Sequence, residues 1–264
     1  MRWSRPVSER RVTLITGASQ GIGRVLAIAF AGAGDDLILA ARNEEGLEET
    51  AAAARSEGAD VLVVATDITD PEQVDRLGRQ TLERFERVDV LVNNSGIGGP
   101  SGPMWELDLE DWRNTFAVNV DGVFLVSSAL MPQMIERGSG SVIIIGSITG
   151  KRPLWGRTPY ASTKSALVGL TRTLAEEAGR HGVRVNLISP GFVDGPRLDW
   201  VIKAQAEGRG ISEHEARAEM EAEAALLRLT EPNDVARAAL FLASDDSKAI
   251  TGADLNVNSG AVMY

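Results

Sequence analysis

From residue 12 onward, short apolar runs alternate with longer stretches in which apolar side chains return every three or four positions. The runs at 12–16, 36–41, 61–66 and 88–92 have the length and composition of strands buried on both faces. Between them, the periodicity predicts helices over about 22–33, 44–57 and 71–86. The last is signalled by Pro71 directly behind Thr69 and Asp70. A second series predicts a helix over about 115–137, a strand at 141–146 and a helix over about 159–180. A strand at 183–189, a helix at 231–243 and a last strand at 254–257 complete it. Such alternation predicts the α/β class, a doubly wound parallel sheet with helices on both faces. There is no internal repeat or low-complexity linker, so 11–264 reads as one domain behind a polar, Arg-rich tail at 1–10.

One stretch breaks this rhythm. Residues 198–229 are charged and Ala-rich, with Gly208 and Gly210 near the middle. Two short helices are expected there, about 199–206 and 212–227, the second with Ser212 as cap and Glu215 three residues on. The segment reads either as a solvated helical hairpin or as a mobile lid over a substrate pocket.

Composition narrows the chemistry. With 44% hydrophobic and 24% charged residues among 264, a substantial core is expected. No uninterrupted apolar run approaches the roughly 18 residues that span a bilayer, and the N-terminus has no signal-peptide pattern, so a cytoplasmic location is expected. The absence of cysteine removes disulfides, thiolate nucleophiles and Cys-based metal sites. With only His181 and His214, no metal site is expected. A formal net charge of -10 argues against a nucleic-acid partner.

Two groups of residues carry candidate chemistry. Thr16-Gly17-Ala18-Ser19-Gln20-Gly21-Ile22-Gly23 follows the first predicted strand and opens the first helix. Glycine there lets the backbone turn tightly and approach a pyrophosphate, whose charge the helix N-terminus meets. The spacing, Gly-x3-Gly-x-Gly, differs from the general G-x-G-x-x-G fingerprint, and a tight turn without a ligand is the alternative. Asp67 closes the third strand, placed either to accept from an adenine amino group or to cap the next helix. The second strand ends at neutral Ala41 followed by Arg42. An acidic residue at this edge would select NAD; a guanidinium here favours a 2′-phosphate, hence NADP(H) over NAD(H), the alternative being a surface arginine with no partner.

The second group centres on Tyr160, one of two tyrosines in the chain, four residues before Lys164. An i,i+4 pair shares a helix face, and a nearby ammonium favours the phenolate, which suits a tyrosine for proton exchange with an alcohol; taken alone, the spacing also reads as a purely structural pair. Ser147 ends an apolar run where ligands collect in open sheets, and serves either as a hydrogen-bond donor to substrate or as a helix cap. Asn93 and Asn94 close the fourth strand, either tying strands together or contacting a ligand. Asn119 lies in an apolar helical face, as a satisfied core amide or as a helix-bending water site. Candidate pocket walls are 98–105, 153–155, Phe192 and Trp200. Arg152 is either a surface cation or an anion attractor, and the terminal Tyr264 is placed to reach a neighbouring subunit.

In order and spacing these motifs resemble the short-chain dehydrogenase/reductase family, over about residues 11–263. The resemblance implies a Rossmann-like fold and an oxidoreductase acting on CH–OH groups. It implies Tyr160 as general acid/base, Ser147 on the reacting oxygen, Lys164 on the nicotinamide ribose, and Asn119 holding a water of a proton relay. The cofactor would be held by Gly17, Ser19, Gln20, Gly21, Ile22, Gly23, Arg42, Asp67, Ile68, Asn94, Tyr160, Lys164, Pro190, Gly191 and Val193. The family also implies a homotetramer or dimer through the helices near 115–137 and 159–180, and a small-molecule alcohol or ketone as substrate. Two departures stand out. Ser95 replaces the usual alanine, and Gly195 stands where a threonine commonly anchors the cofactor, which implies weaker anchoring or a more mobile lid. The competing readings are a dinucleotide-sensing or scaffolding protein of the same fold and, without positive support, an isomerase or dehydratase.

Overall fold

The computed structural model describes residues 10–264, apart from the side chains at positions 197, 200, 204, 205 and 208; residues 1–9 of the expected tail at 1–10 lie outside the described residues. Among the described residues the strands are β1 (Val12–Thr16), β2 (Asp36–Ala41), β3 (Val61–Ala65), β4 (Val90–Asn93), β5 (Gly140–Ile145), β6 (Val183–Pro190) and β7 (Asp254–Val257). All pair in parallel, in the order β3-β2-β1-β4-β5-β6-β7. The order reverses between β1 and β4, which opens a crevice at the carboxyl ends of the strands. In sheets of this Rossmann-like type, ligands bind there.

The helices are α1 (Gly21–Gly32), α2 (Glu44–Ser56), α3 (Pro71–Phe85), α4 (Leu109–Phe116), α5 (Gly122–Arg137), α6 (Thr158–Gly179), α7 (Pro196–Arg209), α8 (Glu213–Ala222) and α9 (Pro232–Ala243). They cover the sheet on both faces. On one side Leu26 and Phe30 of α1, Leu47 of α2 and Val235 of α9 pack on Ile15, Leu39, Val92 and Ile143. On the other Leu77 of α3, Leu130 of α5 and Leu167 of α6 pack on Leu14, Ile38, Leu91 and Ile144. Strands buried on both faces show no alternation, which is why they stood out as continuous apolar runs.

Three expectations need correction. The helix expected at 115–137 begins earlier, at Leu109, because Asp108 accepts from the Glu110 N–H and caps it. It is then interrupted by a π-helical turn at Ala117–Asp121, a widening that shifts the register of side chains around Asn119. The second helix of the 198–229 segment starts on the expected capping box of Ser212 and Glu215 but ends at Ala222 rather than 227. Beyond it Leu227 takes a left-handed conformation, φ 51°, which a helix does not accommodate. By length and composition, the continuous stretch Leu109–Arg137 is apolar enough to cross a bilayer, but 44% of its apolar window is buried inside the fold.

The α7–α8 hairpin has a small core of its own, Leu198, Ile202, Ala216, Met220 and Leu229. Its two ends are clasped: the Asp194 N–H donates to the Thr230 carbonyl at 2.9 Å, and the Thr230 N–H to the Phe192 carbonyl at 2.9 Å. The hairpin is thus packed on itself and joined to the rest of the fold through this two-stranded hinge.

Candidate active site

The carboxyl edge of the sheet gathers every predicted motif. After β1 the chain turns on Gly17, at φ 66°, and Gly21, at φ 54°, conformations that L side chains rarely adopt. The Gly17 N–H donates to the Ala40 carbonyl at 2.7 Å, which pins the turn to β2. A Cβ on Gly23 would lie 2.1 Å from the Gly17 carbonyl oxygen, so only glycine allows α1 to pack this closely. A Cβ on Gly21 would meet nothing within 4 Å, so the turn faces open space. The α1 N-terminus has no side-chain cap and no acidic residue in its first turn. A positive helix end left in this state suits an anion, and the cradle fits a dinucleotide pyrophosphate.

The neighbours of the turn divide between bracing and binding. Asn94 is a brace: its amide donates to the carbonyls of Thr16, at 2.9 Å, and Gly17, at 3.2 Å, tying β4 to the glycine turn. Thr16 contributes too, its hydroxyl accepting from the Asn94 and Ser95 N–H groups. Arg24 was not anticipated. Its guanidinium donates to the Ser19 carbonyl, the Gly46 carbonyl and Glu49, clamping the turn to α2. Asp67 does not cap α3; that cap is Asp70, which accepts from Glu72 and Gln73. One Asp67 oxygen accepts from Thr69, and Ile68 is buried beside it. Arg42 is exposed at the β2 edge, and none of the ion pairs among the described residues includes it.

At the other half of the crevice, Tyr160 sits in the first turn of α6 and Lys164 one turn on. Lys164 is 4% exposed. Its ammonium donates to the Ile145 carbonyl at 2.8 Å and lies 5.7 Å from the Tyr160 ring centroid. Ser147 follows β5 two residues later. Its hydroxyl accepts from the Thr149 N–H at 3.1 Å, so it caps a short 3₁₀ turn at Ile148–Gly150, and its O–H remains available as a donor. Asn119 is buried and satisfied: its carbonyl oxygen accepts from Ile97 N–H at 2.8 Å, and its amide donates to the Ile97 carbonyl and the Thr163 hydroxyl. Thr163 in turn donates to the Tyr160 carbonyl at 2.8 Å. A Cβ on Gly96 would lie 3.2 Å from Asn119 Oδ1 and 3.6 Å from Lys164 Nζ, so both meet across this glycine. Tyr160, Lys164, Asn119 and the end of β5 therefore form one constellation. On the β6 side, Gly191 passes so close to Asn258 and Thr230 that a Cβ would fall 2.9–3.0 Å from them, and Pro190 and Val193 flank it.

The rim differs from expectation. Trp105 and Trp155 are 83% and 79% exposed and do not wall a pocket in this state; the Trp200 side chain lies outside the described residues. The 96–103 and 151–157 loops are joined instead by the Gly102 N–H to the Gly156 carbonyl, 3.0 Å, and by Arg157 to the Gly98 carbonyl, 2.7 Å. Arg152 is neither an isolated surface cation nor turned to a ligand anion: it pairs with the Glu223 carboxylate beyond α8 and lies over the Phe192 ring. Lys151, also unanticipated, forms a largely buried pair with Asp254 of β7 at 2.8 Å. Its signal was invisible because the partners are far apart in sequence. Tyr264 is exposed at the end of the chain.

Comparison with known proteins agrees with this geometry. A family model described as enoyl-(acyl carrier protein) reductase matches residues 17–262. The short-chain dehydrogenase/reductase astE of Aspergillus oryzae is 36% identical, covering 95% of this chain and 94% of that protein. The 3-oxoacyl-(acyl-carrier-protein) reductase FabG of Escherichia coli is 33% identical, over 97% and 98% of the two chains. A crystal structure of an actinorhodin polyketide ketoreductase with NADPH superposes with a TM-score of 0.94, at 32% identity over 98% of this chain and 100% of that one. An NAD+-bound xylitol dehydrogenase gives 0.90, at 28% identity over 94% and 97%.

Proposed function

The chain belongs to the short-chain dehydrogenase/reductase family of oxidoreductases and takes a nicotinamide dinucleotide; from that premise we propose its reaction and cofactor preference. It is an NADP(H)-dependent enzyme that interconverts a secondary alcohol and a ketone, with Tyr160 as the acid/base. The observation that carries this reading is the Lys164 ammonium, buried, bound to the end of β5 and set beside the Tyr160 ring.

The nicotinamide supplies or accepts the hydride. Everything else falls to the chain. Gly17, Ser19, Gln20, Gly21, Ile22 and Gly23 offer the pyrophosphate a close backbone and a helix N-terminus, and Arg42 offers the 2′-phosphate a guanidinium. Asp67 and Ile68, with Asn94 bracing the turn beside them, would hold the adenine and ribose side; Pro190, Gly191 and Val193 would hold the nicotinamide side. Ser147 donates its O–H to the carbonyl oxygen of the ketone, polarising it. Tyr160 gives its phenolic proton to that oxygen in reduction and takes it back in oxidation. Lys164 favours the phenolate and would hold the nicotinamide ribose. Asn119, by holding Ile97 and Thr163, keeps the helix and the loop in register; in this reading it also positions a water that returns the proton to solvent. The α7–α8 hairpin closes over the substrate. The exposed Phe124 on α5 supports assembly of copies of this chain, a homotetramer or dimer, through α5 and α6.

The test is turnover of a ketone panel by purified protein with NADPH, followed by absorbance, alongside Tyr160→Phe. Turnover that vanishes in Tyr160→Phe while NADPH affinity persists is the expected result. NADPH binding without turnover on any ketone would favour a sensing protein, and an active Tyr160→Phe would remove the acid/base role.

A further inference from the structure

Arg157 lies three residues before Tyr160, as the residue that precedes the first turn of α6. Its guanidinium carbon is 5.4 Å from the Tyr160 ring centroid, while Lys164 Nζ is 5.7 Å from the same point. Lys164 shares the helical face of Tyr160 at i+4, and Arg157 reaches the same ring from the chain just ahead of the helix, at φ -119° and ψ 26°, so two cations lie near one ring. Arg157 is also held in place: its Nη2 donates to the Gly98 carbonyl at 2.7 Å.

We propose that Arg157 is a positioning residue of the acid/base group, a second cation that stabilises the ionised form of Tyr160 across its ring face. This rests on the reading of Tyr160 as the acid/base. A cation over a phenol is attracted by the electron-rich face, and ionisation puts further negative charge into the ring, so the attraction grows when the proton leaves. A guanidinium keeps its charge across the whole range in which a tyrosine titrates. The other charges at this end of α6 are turned elsewhere. Lys151 pairs with Asp254, Arg152 with Glu223 and Asp194 with Arg217. Glu110, Asp111 and Arg113 of α4 and Asp121 of the π-turn are exposed, and the 94–103 loop has no charged residue. The Arg197 side chain on α7 lies outside the described residues.

The chain has only two tyrosines, so in a Tyr264→Phe background phenolate absorbance reports Tyr160 alone. In that background the titration should move up by about one pH unit in Arg157→Gln and stay within about 0.3 unit in Arg157→Lys. The alkaline limb of ketone reduction and the acidic limb of alcohol oxidation should both move up with it, with NADPH affinity within about two-fold. An unmoved titration in Arg157→Gln, with only KM raised, would overturn the proposal and leave Arg157 as a tie to Gly98. If Arg157→Gln does not fold, Arg157→Met is titrated in its place: a rise of about one unit supports the proposal, and an unmoved titration overturns it. The two readings fail separately. An active Tyr160→Phe defeats the acid/base role even if the titration shifts, whereas an inactive Tyr160→Phe with an unmoved titration defeats Arg157 alone.

Discussion

The Lys164 ammonium donates to the Ile145 carbonyl at 2.8 Å, so the cation of α6 is fixed to the strand that leads into Ser147. Lys164→Met removes the charge and leaves that buried carbonyl without its partner, at a cost of about 1–3 kcal/mol. We expect kcat/KM to fall by about 10²–10⁴-fold, with a lower Tm, and Lys164→Arg to recover only part of each. Turnover and thermal melts check this; a loss under ten-fold would show that the tyrosine works without its lysine.

Arg42 stands exposed at the β2 edge beyond neutral Ala41. If it meets a 2′-phosphate, Arg42→Ala should weaken NADPH binding by about 10- to 100-fold and leave NADH nearly unchanged. Titration calorimetry with both dinucleotides separates the cases. Equal losses would mean that Arg42 does not read the phosphate.

Much of this was legible in the chain, for reasons that individual residues make plain. The strands were visible because parallel strands buried on both faces are unbroken apolar runs, as at Val12–Thr16 and Asp36–Ala41. The Tyr160–Lys164 pair was legible because helical spacing converts sequence distance into contact. The π-turn at Asn119 was not, since a hydrogen-bond register one residue wider leaves no mark in residue type. Arg157 was missed because a cation outside the predicted helix reads as solvated. Ser147 and Asn94 carried two readings each, and the hydrogen bonds they make in the structure are a cap and a strand tie.

Gly195 sharpens the departure from the family threonine. It precedes α7 at φ 140° and ψ 179°, a conformation that disfavours any side chain, although a Cβ would touch nothing within 4 Å. The penalty for Gly195→Thr is therefore one of backbone alone, about 1–3 kcal/mol. The variant should melt earlier and gain no NADPH affinity. A tighter cofactor complex at unchanged Tm would show that the turn relaxes to accept the threonine and its anchor.

Asp35 gives a pH dependence with a definite sign. Burial raises its carboxyl above the ordinary 3.8, against the opposing pull of Arg11 and the hydrogen bond from Thr13. The folded state thus binds the proton more tightly than the unfolded chain. Its contribution to stability is full below about pH 3.8 and is lost as pH rises through the folded value. In Asp35→Asn that loss is absent, so the stability of the variant relative to the parent should climb with pH across this window and then level. Denaturant midpoints over a pH series measure it. A difference that falls with pH would mean that the Arg11 pair outweighs burial.

Ion pairs of Arg152 and Arg217 tie the α7–α8 hairpin to the active-site rim, which makes its proposed motion testable. Arg152, on the loop that follows Ser147, pairs with Glu223 and lies over Phe192 at the hinge. Arg217 ties α8 to Asp194, at 2.9 Å, beside the same hinge. Partly exposed pairs of this kind contribute about 0–1 kcal/mol each, enough to bias a closed state but not to lock it. Glu223→Gln should therefore leave Tm within about 2 °C yet speed protease cleavage within 196–229, since a sub-kcal change moves a local opening equilibrium severalfold. In the parent protein, cofactor with substrate should slow the same cleavage, because only a closed hairpin buries the occupied crevice. If cleavage is equally fast with and without ligands, the hairpin is a static surface feature rather than a lid. If Glu223→Gln alone changes nothing, the clasp at Asp194 and Thr230 sets the opening by itself.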